Sequence, residues 1–235
     1  MSPSALYSKP ALRWKAVNWK LGLKLDGGNG STTYTDSSPA GRTVSSLNSG
    51  AQSSSAPMRG SSGFTGGGTT GVQVTHDNSL NPGTSEFIVD LLLYIPTAPV
   101  TTDGWAITKT SGAGFTAYNV AWIISSAKAY VGGYDSVNAL AYEFNIPLAR
   151  AVIGKVFRLT VSRCGAFVYC FVNGKLFSRV ALATTVSLHS NSNNVYVGNI
   201  STGIRPWQGS VDEVNIVIGE GCNYEFDPWL FGGAS

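Results

Sequence analysis

Residues 155–177, KVFRLTVSRCGAFVYCFVNGKLF, constrain the fold more than any other stretch. Phe157, Leu159 and Val161 alternate with Val156, Arg158 and Thr160, the two-residue period of a β-strand. Gly165 suits the positive φ that a tight hairpin turn needs. The run from Phe167 to Val172 is then apolar at nearly every position. A strand with no polar face is usually covered on both sides, which places this one centrally. Asn173-Gly174 is the strongest two-residue hairpin signal, because both residues tolerate the left-handed conformation. The stretch therefore predicts the middle of an antiparallel meander. Its simplest reading is core and nothing more.

The rest of the chain repeats this pattern with glycine punctuation. Strands are predicted over 17–25, 87–95, 104–109, 116–124, 127–132, 139–146, 195–199 and 211–218. Short ones are expected at 43–47 and 71–74, inside the Ser/Thr/Gly-rich stretch 31–85. No helix longer than about one turn is expected. Short strands at roughly 8–12-residue spacing mean a sandwich or barrel. The Gly-rich turn at 26–30 is no phosphate loop, since it lacks the Gly-Lys-Ser/Thr ending and no helical pattern follows.

At 235 residues the chain buries ample apolar surface to hold itself together without staples. Charged residues make up only 12%, so Ser, Thr, Asn and Gly must supply the polar surface, as in many extracellular and viral β-proteins. A net charge of +3 is too small to argue for nucleic acid. No apolar run approaches the roughly 20 residues of a membrane span. The first fifteen residues hold no signal-peptide-like hydrophobic run, so export by the general route is not expected. Cys164 and Cys170 straddle a hairpin turn at a spacing too wide for a bridge. With Cys222 making an odd count, reduced thiols and assembly in a cytosol are expected.

Residues 1–18 read as an arm, with Tyr7, Lys9, Arg13, Trp14 and Lys15, two prolines and no acid. Residues 220–235 read as a tail whose aromatics include Trp229 and Phe231. Each could dock on a neighbouring subunit or pack back on its own sandwich, which would span 19–219.

Several pieces carry a family resemblance. Residues 25–38, LDGGNGSTTYTDSS, are the first. The strand 87–94, the hairpin formed by 157–163 with 169–175, the triplet Val197-Gly198-Asn199, and residues 209–216, GSVDEVNI, complete the set. In this order they resemble the laminin-G-like, concanavalin A-like jelly roll, in the version common in bacteriophage structural proteins. Leu25 stands where that group usually has Phe, Asp90 where it has Glu, and Phe157 where it has Trp. These departures conserve packing.

The resemblance implies an all-β antiparallel sandwich and a non-enzymatic virion structural protein, a head decoration or tail component assembled in the host cytoplasm. Its partners would be other virion subunits and further copies of itself, contacted through Tyr7, Lys9, Arg13, Trp14, Lys15, Trp229 and Phe231. The alternative is a carbohydrate-binding lectin or receptor-recognition module, and a glycoside hydrolase or lyase comes third. A host polysaccharide would stack on Trp105, Trp122, Trp207 or Tyr118, although such aromatics commonly fill sandwich interiors. Domains of this kind often hold Ca²⁺ with loop oxygens, which makes Asp26, Asn29, Asp36 and Asp212 candidate ligands. The same side chains could instead brace their own turns. No other cofactor is expected. For hydrolysis, Glu86 and Asp90 stand alone among apolar residues, Asp212 and Glu213 point to opposite faces, and no zinc or nucleophile motif occurs.

Overall fold

The computed structural model describes residues 18–54, 62–95, 103–110, 118–123, 128–147, 153–203 and 205–221. Its strands are β1 (Trp19–Leu23), β2 (Val44–Leu47), β3 (Gln52–Ser53), β4 (Gly63–Thr65), β5 (Gly71–Val74), β6 (Phe87–Tyr94), β7 (Gly104–Thr108), β8 (Asn119–Ile123), β9 (Lys128–Tyr134), β10 (Leu140–Pro147), β11 (Val156–Cys164), β12 (Phe167–Val172), β13 (Lys175–Ala181), β14 (Val195–Val197) and β15 (Ser210–Ile218). The first sheet runs β13-β12-β11-β6-β15-β4-β3, with β1 also pairing β15. The second runs β10-β9-β8-β7-β14-β5-β2. All the strand pairs in both sheets are antiparallel, and the two sheets form a jelly-roll sandwich. The only helical turn among the described residues is the 3-10 turn Asn78–Leu80, capped where the Ser79 amide donates to Asp77 Oδ1 at 2.7 Å.

The core forms where inward residues of the two sheets meet. Phe87, Val89, Leu91 and Leu93 of β6, Leu159 and Val161 of β11, and Val214 and Ile216 of β15 come from the first sheet. Val72, Val74, Ala106, Val131, Phe144, Val195 and Val197 face them from the second. This is the two-residue alternation of the sequence written as a buried layer. At Gly198 (φ 77) a Cβ would sit 2.2 Å from the Phe64 ring, so chain and ring fit only without a side chain. Arg163 is an inward cation, 1% exposed, whose guanidinium donates to the carbonyls of Gly83, Ala183 and Thr184. It thereby ties two loops to the end of β11.

Three expectations need correction. The first strand is shorter than 17–25, because Leu25 takes φ 59 and leaves the extended conformation. Strand β12 is not central: it lies one strand from the rim, and β11, β6 and β15 occupy the middle. The thiols are not all reduced. Cys170 is free, buried, and pushed up to about 12 by burial, but Cys164 is disulfide-bonded. Cys222 lies outside the described residues.

Candidate functional site

The displacement of β12 from the centre creates the site. Val168 and Cys170 point into the core and are fully buried. The alternate residues Phe167, Tyr169 and Phe171 therefore stand on the outer side of the sheet, each half-buried. Their ring centroids follow at 6.1 Å from Phe167 to Tyr169 and 6.1 Å from Tyr169 to Phe171. The second pair is nearly parallel, with 16° between planes, and the first is tilted by 53°. The result is a row of three aromatic rings along one strand.

The neighbours on either side differ in exposure: of the outward residues, Thr160 and Ser162 on β11 are buried, whereas those of β13 are exposed. On β11, Ser162 lies opposite Tyr169 and Thr160 opposite Phe171, both short side chains turned to local bonds. Ser162 Oγ donates to the Gly221 carbonyl at 2.6 Å, and Thr160 Oγ1 donates to Asp90 Oδ1 at 2.7 Å. On β13, Arg179 lies opposite Tyr169 and reaches across to place its guanidinium carbon 4.8 Å from the Phe167 centroid. That contact is a cation–π interaction at an exposed site. Leu176, 55% exposed, flanks Phe171. Beside them Arg158 is paired with Asp90, whereas Arg179 has no ion pair among the described residues.

The aromatics singled out in the sequence do not form this surface. Trp207 is 1% exposed and Tyr118 is 2% exposed, with its hydroxyl donating to the Leu80 carbonyl. Both fill the interior, and burial drives the Tyr118 hydroxyl far above its ordinary pKa. They are thereby withdrawn from any platform. Trp105 is half-buried on β7 in the second sheet, away from the row. The Trp122 side chain lies outside the described residues, as do Tyr7, Lys9, Arg13, Trp14, Lys15, Trp229 and Phe231.

The candidate metal ligands are not brought together either. Among the described residues no three His, Cys, Asp or Glu side chains cluster in a way that could hold an ion. Asp36 accepts from the amides of Gly22, Ser38 and Arg42 and from Ser38 Oγ, which commits both of its oxygens. Asp212 is buried and accepts from the Glu213 amide at 2.8 Å. Asn29 Oδ1 accepts from the Ser54 amide at 3.2 Å, and Asp26 is exposed. Bracing of turns is what Asp36, Asp212 and Asn29 do here. Glu86 and Asp90 are likewise occupied: Glu86 accepts from the amides of Gly165 and Gly221, and Asp90 is held by Arg158 and Thr160.

A signal for the row was present in the sequence. Phe167, Tyr169 and Phe171 repeat at two-residue spacing, but so do the intervening Val168 and Cys170, and a strand apolar on both faces reads as buried on both faces. What sequence could not show was that β13 is the last strand and leaves one side of β12 near a rim.

No protein-family model and no curated protein matches the sequence. Solved structures do resemble it. The botulinum neurotoxin serotype G binding domain superposes with a TM-score of 0.66 at 15% identity, over 88% of this chain and 49% of that one. The receptor binding domain of botulinum neurotoxin D gives 0.66 at 12% identity, over 87% and 50%. The binding domain of Paraclostridial Mosquitocidal Protein 1 gives 0.64 at 12% identity, over 88% and 50%. The chain thus spans about half the length of each. At these identities the likeness is one of fold: this chain is a β-sandwich jelly roll similar to part of the clostridial toxin binding domains.

Proposed function

We propose that the chain is a non-catalytic recognition module that binds a cell-surface glycan through the outer side of its first sheet. The observation that carries this reading is the outward-facing Tyr169, with Phe167 and Arg179 beside it. Sugar rings offer apolar C–H faces and hydroxyl edges, and aromatic rings beside hydrogen-bond donors match both. The similarity to structures described as binding domains supports it. The virion role implied by the family resemblance depends on the arm 1–18 and the tail 220–235. Their contact residues lie outside the described residues, and none of the solved structures named above is a virion protein. The recognition reading is therefore preferred.

The test is a glycan array probed with the full chain, followed by titration of the hits against Tyr169→Ala. Tyr169 is half-buried, so thermal melts of both proteins are recorded to show that the variant is folded at the titration temperature. Loss of roughly five- to tenfold in affinity is expected from removing one stacking ring. A chain that binds no glycan, or a variant that binds as well as the parent, defeats the proposal.

A further inference from the structure

Cys164 closes β11 and is disulfide-bonded. The chain has three cysteines and Cys170 is free, so Cys222 is the partner that remains. Position excludes Cys170 as well. It lies opposite Val161 and is buried in the core, whereas Cys164 stands at the strand end opposite Phe167.

The packing around Gly221 points to the same pair independently. Gly221, the residue before Cys222, is buried against Arg163, the residue before Cys164. A Cβ on Gly221 would lie 1.7 Å from the Arg163 carbonyl oxygen, so the two backbones touch. The Gly221 carbonyl accepts from Ser162 Oγ at 2.6 Å. The Glu86 carboxylate spans the junction: Oε1 accepts from the Gly165 amide at 3.0 Å, and Oε2 from the Gly221 amide at 3.1 Å. One side chain thus holds both the residue after Cys164 and the residue before Cys222.

We propose that Cys164 and Cys222 form a redox-sensitive latch that fastens the chain from residue 222 onward to the end of β11. Cys164 is only half-buried, so a small thiol reaches the bond without the core opening, while Cys170 is too deep to exchange with it. Opening is exchange with a low-molecular-weight thiol such as glutathione. A first thiolate attacks one protein sulfur, breaks the S–S bond and forms a mixed disulfide; the other cysteine leaves as thiolate and takes a proton. A second thiolate attacks the small-molecule sulfur of the mixed disulfide and frees the remaining cysteine. The protein gains two electrons and two protons, and the two small thiols are oxidised to their disulfide. Oxidised glutathione closes the latch by the reverse steps. The latch is therefore closed at an oxidising cell exterior and open in the thiol pool of a cytosol.

The experiment uses the full chain in two states. In the first, the unreduced protein is unfolded in urea with iodoacetamide and cut with chymotrypsin, which separates Cys164 from Cys170 after Phe167 and Tyr169. Mass spectrometry is expected to find one cross-linked peptide pair holding Cys164 and Cys222, with Cys170 alkylated. Alkylation of all three cysteines, or a bond that includes Cys170, overturns the pairing. In the second, the native protein is equilibrated with excess reduced or oxidised glutathione, and amide hydrogen exchange is followed by NMR. The Gly165 and Gly221 amides should exchange roughly tenfold faster or more after reduction, and recover on reoxidation. The double variant Cys164→Ser with Cys222→Ser should exchange at the fast rate in both buffers, and Cys170→Ala should respond as the parent does. A bond that opens only in urea, or exchange at 165 and 221 that reduction leaves unchanged, overturns the latch.

Discussion

Arg158 grips Asp90 across the β6–β11 pair with two charge-assisted bonds of 2.7 and 2.6 Å, and Thr160 donates a third at 2.7 Å. The Asp90 side chain is 1% exposed and that of Arg158 14% exposed. Removing one partner takes two charge-assisted bonds from a side chain that is largely withdrawn from water. Asp90→Ala is expected to cost about 3 kcal/mol of folding stability, measured by urea denaturation. A cost below about 1 kcal/mol would show the pair to be dispensable.

Lys109 sets a pH dependence. It is 1% exposed, and its ammonium donates to Asn191 O at 2.7 Å and to Asn191 Oδ1 at 2.9 Å, and lies 3.3 Å from His76 Nδ1. Burial lowers its pKa from 10.5 to about 8. Between those values the unfolded chain holds a proton that the folded chain has released, so stability rises with pH through that window. Below about 8 the cost of burying the charge is fully present. Unfolding midpoints of the parent should therefore climb relative to those of Lys109→Met between pH 8 and 10.5. Parallel curves would refute the assignment.

Two glycines separate strain from collision. Gly28 (φ 87) has no atom within 4 Å of its would-be Cβ, whereas Gly198 (φ 77) would drive a Cβ to 2.2 Å from the buried Phe64 ring. Gly28→Ala is expected to lose about 1 kcal/mol, the backbone penalty alone. Gly198→Ala should lose about 3 kcal/mol, because overpacking adds to it. Thermal melts of both variants decide; equal losses would mean that the core yields around Phe64.

Cys170 should resist alkylation. Its thiol is fully buried and its pKa is raised to about 12, so thiolate is scarce and out of reach at neutral pH. Peptide-resolved mass spectrometry after iodoacetamide treatment should find Cys170 unmodified in the native chain and modified in urea. Rapid native labelling would place it elsewhere than the core.

Strand positions were legible because one face of each strand is buried. The alternation in residues 87–95 and 211–218 recovers β6 and β15 to within a residue. The turns at Gly165 (φ 55) and Asn173-Gly174 (φ 50 and 74) are where their residue types placed them. Strands β3 and β4 were not legible: Gln52–Ser53 and Gly63–Thr65 are too short for a period and sit in a Ser/Gly-rich stretch. The candidate site was missed for a different reason. Trp207 follows Pro206 in a loop, a position whose burial no strand period reveals. That loop folds inward, where glycines 66, 104 and 209 leave room for its backbone and ring. Exposure depends on which strands end a sheet, and strand order is a long-range property that local pattern does not carry.

Strand β13 ends its sheet, and the bulge between Cys170 and Phe171 together with the exposed Lys175 and Arg179 makes it a poor template for a further strand. The side chains of β12 thus stand one strand in from a border guarded against self-association. Growth of the sheet by strand addition from a second copy stops at that rim, so the sandwich stays a closed unit on this side even when the protein is concentrated.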